Sequence, residues 1–213
     1  MSFPKIRVAL VSSIALALLA TIAGCVTSYS LSEGEAERRT VEMMKSSFRA
    51  QGQASLARLD QDEVQAVCSQ YHPGQAIPRE VSEKIEKAQL AAIKYPAKLM
   101  GNWQAGERVA QTGTGFQFSD GPTTPVGANC YACHQLSRQE LSYGNIGPSL
   151  YQFGKLRGTS EAIQKYTYGK IYNSNAFSAC SSMPRFGHSK ILTEAQMADL
   201  TALLLDPGSP VNQ

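Results

Sequence analysis

A Cys-x-x-Cys-His segment at residues 130–134 constrains this chain more than any other feature. Two thiols three residues apart can each bond one vinyl group of a porphyrin, and the adjacent histidine can then ligate the iron. The segment predicts a covalently attached haem c, with Cys130 and Cys133 as thioether anchors and His134 as the first axial ligand. A dithiol redox pair and half of a zinc site are the alternatives, and the export signal at the N-terminus favours haem.

The first 24 residues have the pattern of a bacterial export signal. Lys5 and Arg7 precede an uncharged apolar run, 8–24, that is too short and too early for a structural membrane helix. The run ends in Ile-Ala-Gly-Cys at residues 22–25, which resembles a lipoprotein cleavage site. We expect a periplasmic protein that a lipid on Cys25 tethers to a membrane face. Ordinary cleavage, with Cys25 lost or left free, is the alternative.

The charge balance argues against nucleic acid as a partner. Removal of the signal leaves 18 of the 20 basic residues and all 17 acidic ones, a net charge of +1. The sequence has no basic block, and a nearly neutral chain exerts no long-range attraction on phosphate. We therefore expect no nucleic-acid binding.

The two remaining cysteines, Cys68 and Cys180, are expected to pair, because thiols left over in an oxidising periplasm form disulfides. Two separate thiols are one alternative. A zinc site built from Cys68, His72, Cys130 and Cys133 is another, but haem attachment would consume two of its four ligands.

Helical periodicity and start signals predict an all-α chain. Ser32-x-x-Glu35 and Thr193-x-x-Gln196 both fit a capping box, in which two side chains satisfy the first free N–H groups of a helix. Helices are expected over about 33–51, from about Pro78 to Pro96, from Asn102 to Gln111, weakly over 162–171, and from Thr193 to Asp206. Residues 112–128 are rich in Gly, Pro, Ser and Thr and are expected to form a loop.

These signals divide the chain into three predicted parts. They are a lipoprotein-type signal peptide at 1–24, a helical N-terminal extension at 25–100, and a haem domain at 101–213.

A haem that only passes electrons needs a second axial ligand, and Met183 is the leading candidate. Pro184 biases Met183 towards an extended backbone on an irregular loop, and a thioether ligand favours ferrous iron. His188 is the main rival, and an open site is the third alternative. On the other side of the iron, the Pro148 carbonyl can accept a hydrogen bond from the second ring nitrogen of His134 and so orient that ligand.

The order of these features resembles a class I cytochrome c, which has a helix before the haem motif, a Met-bearing loop, and a C-terminal helix that crosses the first. The long segment 112–128 departs from that pattern. Four segments resemble more specifically the sulfur-oxidation cytochrome SoxX, in its long form with an N-terminal extension. They are GNWQAGE at 101–107, GANCYACHQ at 127–135, GPSL at 147–150 and MPRFG at 183–187.

This resemblance implies a heterodimer with a SoxA-type cytochrome, which joins thiosulfate to a cysteine of the carrier protein SoxYZ and releases two electrons. The chain would be the electron-transfer subunit of this L-cysteine S-thiosulfotransferase. It would contain no catalytic residue, because the catalytic haem would belong to SoxA, and its own His/Met haem would pass electrons to a small c-type cytochrome. A free-standing electron carrier and a haem-based sensor are the alternatives. The extension at 26–100 argues against the first, and Met183 argues against the second.

Overall fold

A computed structural model of the protein describes residues 31–71 and 75–213. These ranges contain seven α-helices and no β-strand, which confirms the all-α class. The helices are α1 (Glu33–Ser47), α2 (Glu63–Cys68), α3 (Arg79–Ala91), α4 (Trp103–Gln111), α5 (Phe153–Arg157), α6 (Glu161–Tyr172) and α7 (Glu194–Leu205). The chain forms two compact units, one that ends at Phe48 and one that runs from Arg49 to Gln213. Residues 49–100 thus share a unit with 101–213, and the predicted division at residue 101 stays a prediction.

Helix α1 belongs to the first unit and has no buried residue. The expected capping box at its start is wrong, because the Ser32 side chain makes no cap hydrogen bond. The Glu35 carboxylate instead forms an ion pair with Arg39, one helical turn away, at 2.6 Å. The helix also ends at Ser47, a few residues earlier than expected, because Phe48 has an extended backbone.

No helix within 31–71 and 75–213 is both long enough and apolar enough to cross a membrane.

In the second unit, the most extensive contact between helices is the one where α4 crosses α7. The backbones meet where Gly106 of α4 lies against Asp199 of α7, with no space for a side chain. The side chain of Asn102 caps α4 by accepting a hydrogen bond from the Ala105 N–H at 2.8 Å, as expected. The Asn102 N–H donates to the Asp199 carboxylate at 2.7 Å, so the start of α4 is fixed to α7.

Helix α7 is the most buried of the seven α-helices, with eight of its twelve residues buried. Its predicted capping box is confirmed: the Thr193 hydroxyl accepts from the Gln196 N–H at 3.2 Å, and the Gln196 amide oxygen accepts from the Thr193 N–H at 3.0 Å. Leu192 and Met197, which flank this cap, are 4% and 2% exposed. Burial of so many apolar side chains makes α7 the centre of the hydrophobic core that supports the site.

Helices α2 and α3 pack against the segment that follows α6. Helix α2 was not predicted; it is short, and a capping box between Asp62 and Gln65 starts it. Cys68, its last residue, forms a disulfide with Cys180, with a Cα–Cα distance of 5.6 Å. This is the pairing expected from the sequence.

Candidate functional site

A cavity of about 630 Å³ opens beside the Cys-x-x-Cys-His segment, and its size is that of a cofactor site. Its wall includes Cys130, Cys133, His134 and Met183. The rest of the wall is largely apolar and comes from the loop after the motif, from α5 and α6, and from the Met183 segment. The structure therefore brings the four residues predicted to hold haem to a single cavity.

The motif itself folds as a tight turn. Asn129 adopts a left-handed conformation (φ 47°), and Cys130–Ala132 then form a 3-10 helix. The His134 N–H donates to the Cys130 carbonyl at 2.9 Å, and this hydrogen bond fixes the His134 backbone within the same turn as the two cysteines. Both thiols are free. Burial raises the pKa of the Cys130 thiol to about 12. A redox dithiol needs a low thiol pKa, so this value argues against that alternative.

The His134 ring is oriented by the loop that follows the motif. Its Nδ1 lies 2.7 Å from the carbonyl oxygen of Pro148, which confirms the predicted contact. Because a carbonyl can only accept, Nδ1 carries the proton and Nε2 is left to ligate a metal. Gly147 donates its N–H to the Cys133 carbonyl at 2.8 Å, and a side chain at Gly147 would overlap the His134 ring. Only glycine allows the loop to lie this close to the ligand.

Met183 is the candidate for the second ligand that reaches the cavity. It lines the wall, whereas its rival His188 is exposed and does not. Its backbone carbonyl accepts a short hydrogen bond from the hydroxyl of Ser174, a residue that is fully buried. The role of Met183 as an iron ligand stays a prediction, and the geometry favours it over His188.

The zinc alternative does not fit the described part of the chain. Cys68 is consumed by its disulfide with Cys180. Within the described ranges no three His, Cys, Asp or Glu residues come together as metal ligands. His72 lies outside those ranges, as do Cys25 and the signal peptide. Two thiols for thioether bonds, an oriented imidazole and a methionine sulfur in an apolar cavity do fit a haem c.

Two cations in the cavity wall were missed by the sequence analysis. Arg157 at the end of α5 lies over the ring of Phe153, 5.3 Å from its centroid. Lys170 in α6 donates to the Ser174 carbonyl at 3.2 Å, and burial lowers the pKa of its amine. Both are suited to the anionic propionates of a haem. Nothing in their spacing from the motif could have indicated this, since the fold alone brings them there.

Comparison with known proteins defines the class of protein first. Residues 105–206 match the cytochrome c family. They form a cytochrome c domain, whose cofactor is a covalently attached haem c and whose function is electron transfer. The predictions of the fold and of the cofactor are therefore confirmed.

A relative that matches most of the chain then defines its family. A protein of Aquifex aeolicus (strain VF5), named "uncharacterized lipoprotein", is 38% identical to the chain over 157 residues, which cover 72% of this chain and 73% of the relative. The chain belongs to the same family as that lipoprotein.

Proposed function

We propose that this chain is the electron-transfer subunit of a SoxAX-type L-cysteine S-thiosulfotransferase. In this role it accepts the electrons released when a SoxA-type cytochrome joins thiosulfate to a SoxYZ cysteine, and it delivers them to a small c-type cytochrome. The observation that carries the proposal is the placement of the SoxX-like segments. Three of them, 127–135, 147–150 and 183–187, supply both predicted axial ligands and much of the cavity wall.

The chemistry of the cavity supports an electron-transfer role. When bound there, the haem supplies a one-electron redox couple. Among the described residues that line the cavity there is no Asp or Glu, so the wall offers no carboxylate for acid–base catalysis. The chain's own residues hold the haem at Cys130 and Cys133 and orient His134 through Pro148. We therefore propose that substrate chemistry takes place on the partner subunit.

We further propose that Met183 is the second axial ligand. Methionine favours the ferrous state, so Met183→Ala should lower the reduction potential and open the iron to carbon monoxide. His188→Ala is the matched control and should leave both properties unchanged. The measurements are redox titration and the sulfur-to-iron absorption band of the ferric protein. A band that persists in Met183→Ala would exclude this ligand.

We propose a periplasmic location with a lipid on Cys25. The sequence at residues 22–25 supports it, as does the lipoprotein name of the Aquifex relative. Cys25→Ser should move the protein from the membrane fraction to the soluble fraction, and mass spectrometry of the native N-terminus should show the acyl chains. A native N-terminus at another residue would contradict the anchor.

Reconstitution tests the main proposal. The purified chain alone should not join thiosulfate to the SoxYZ cysteine, and it should restore turnover when added to a SoxA-type cytochrome. Lys155, Arg157 and Lys190 are exposed cations, so association with an acidic acceptor cytochrome should weaken as salt is added. Full SoxA activity without this chain would overturn the proposal. A chain that exchanges electrons with cytochromes but never binds SoxA would instead be a free-standing carrier.

A further inference from the structure

The loop that presents Met183 is tied to the helices that precede the cytochrome c domain. We call residues 173–187 the Met183 loop and residues 62–89, which include α2 and α3, the clamp segment. We propose that the clamp segment positions the Met183 loop and thereby keeps the Met183 sulfur on the iron. The inference rests on the proposed role of Met183, and three kinds of contact support it.

The first contact is a small apolar cluster separate from the main core. Val64 of α2 and Ile85 of α3 are buried against Ala179 of the loop. The Cys68–Cys180 disulfide adjoins this cluster and fixes the loop covalently three residues before Met183. The cluster and the disulfide therefore fix the first half of the loop to both helices.

The second contact is a pair of hydrogen bonds from the loop to α3. The Glu86 carboxylate accepts from the Ala179 N–H at 3.1 Å. The Gln89 amide oxygen accepts from the side-chain NH₂ of Asn173 at 2.8 Å, and Asn173 is fully buried. Because these donors are buried or half-buried, loss of an acceptor leaves an unpaired polar group and costs more than an exposed hydrogen bond does.

The third contact lies on the far side of the ligand. Arg185, two residues after Met183, forms a short ion pair with Asp62 at the start of α2. The Arg185 side chain is only 10% exposed, whereas the Asp62 side chain is 41% exposed, so water screens this pair from the Asp62 side only. The clamp segment therefore holds the loop on both sides of Met183.

The packing around Met183 leaves open space beside the loop. A second cavity, of about 360 Å³, lies beside the loop and is lined by Met183 together with Val64 and Gln65 of α2. Met183 thus borders both the haem cavity and this second space, which leaves room for its side chain to move off the iron. The ties to the clamp segment oppose that movement, and weakening them should raise the population of a state in which the iron is open.

The test compares two carboxylates on one helix. Glu86→Ala removes the hydrogen bond between the Glu86 carboxylate and the Ala179 N–H of the loop. Glu83→Ala makes the same change at an exposed residue of α3 that forms an ion pair with Arg79 of the same helix, so it is the control. Asp62→Asn breaks the ion pair while asparagine preserves the helix cap. Each ferric holoprotein is titrated with imidazole, which binds only when Met183 leaves the iron.

We expect Glu86→Ala and Asp62→Asn each to bind imidazole about tenfold more tightly than the native protein, a change equal to about 1.4 kcal/mol. Glu83→Ala should match the native protein. Met183→Ala should bind imidazole most tightly and sets the upper limit.

The outcomes separate this proposal from the one on which it rests. If Met183→Ala leaves the affinity for imidazole unchanged, Met183 is not the ligand and both proposals fail. If Met183→Ala opens the site but Glu86→Ala and Asp62→Asn behave like Glu83→Ala, the ligand assignment stands and the clamp is refuted. Asp62→Asn supplies the answer where Glu86→Ala does not yield folded protein.

Discussion

Replacing Gly106 with alanine should destabilise the cytochrome c domain, although alanine is the better helix former. In an exposed helix this change stabilises by about 1 kcal/mol. Gly106, however, is buried where α4 crosses α7, and a Cβ atom there would lie 2.6 Å from the Asp199 carbonyl carbon and 3.1 Å from the Leu200 nitrogen. These are backbone atoms of another helix, so no side-chain rotation can relieve the overlap.

The expected magnitude follows from two opposing effects. Overpacking a core costs about 1–3 kcal/mol, and a backbone contact places Gly106 at the upper end of that range. Subtracting about 1 kcal/mol for the gain in helix propensity leaves a net loss of about 1–2 kcal/mol. For a unit of this size, such a loss lowers the melting temperature by about 3–6 °C.

The assay is thermal unfolding of the holoprotein followed by circular dichroism, with urea unfolding as an independent measure. Gln104→Ala, at an exposed position of the same helix, is the control and should change stability by less than about 0.5 kcal/mol. A melting temperature of Gly106→Ala equal to or above the native value would contradict the predicted overlap with Asp199, because helix propensity alone would then decide the outcome.

Three further predictions concern the disulfide, an acidic residue and the proximal loop. Replacing Cys68 and Cys180 together with serine opens a loop of 112 residues, and urea unfolding should show a loss of about 2–4 kcal/mol; an unchanged midpoint would contradict this. Burial raises the pKa of Asp62, but a backbone hydrogen bond and its arginine partner outweigh burial and hold that pKa below its usual value. The ionised Asp62 carboxylate therefore stabilises the fold above the pKa that Asp62 has in the unfolded chain, and this stabilisation is lost as pH falls through the lower pKa of the folded state. Between about pH 5 and pH 3, Asp62→Asn should consequently lose less stability than the native protein. Gly147→Ala should displace the His134 ring, and a haem absorption spectrum identical to the native one would count against the close contact seen here.

Sequence reasoning succeeded where the determinants are local. The caps at Asn102 and Thr193 formed because each cap joins a side chain to an N–H group only three residues along the chain. At Ser32 the cap is absent because the Glu35 N–H donates to the Ser32 carbonyl rather than to its hydroxyl, and the Glu35 carboxylate pairs with Arg39 one turn along the helix. Helix α2 was missed for the opposite reason. It is too short to be stable alone, and burial of Val64 in a tertiary cluster accounts for it.

Some residues of the candidate site could likewise be predicted from the sequence, and others could not. The spacing of the Cys-x-x-Cys-His segment identifies three of its residues directly, and the backbone restriction before Pro184 identified Met183. Arg157 and Lys170 had no such signal, because their place in the cavity wall depends on how α5 and α6 pack. The sequence therefore predicts the residues that would hold the haem, but it does not predict the charged residues that line the cavity.

The same distinction bears on the extension, whose role the sequence left open between holding a partner and spacing the haem from the membrane. Residues 62–89 make intramolecular contacts, since an apolar cluster, a disulfide and a hydrogen bond join them to the segment that carries Met183. Helix α1 differs, because none of its residues is buried. The two parts of the extension therefore have different structural roles, and a truncation series should reflect this. Deletion of residues 31–48 should leave the haem spectrum and the affinity for imidazole unchanged, whereas a deletion that continues through α2 should alter both. If both deletions leave the haem properties intact, the contacts of residues 62–89 stabilise the fold without positioning the ligand.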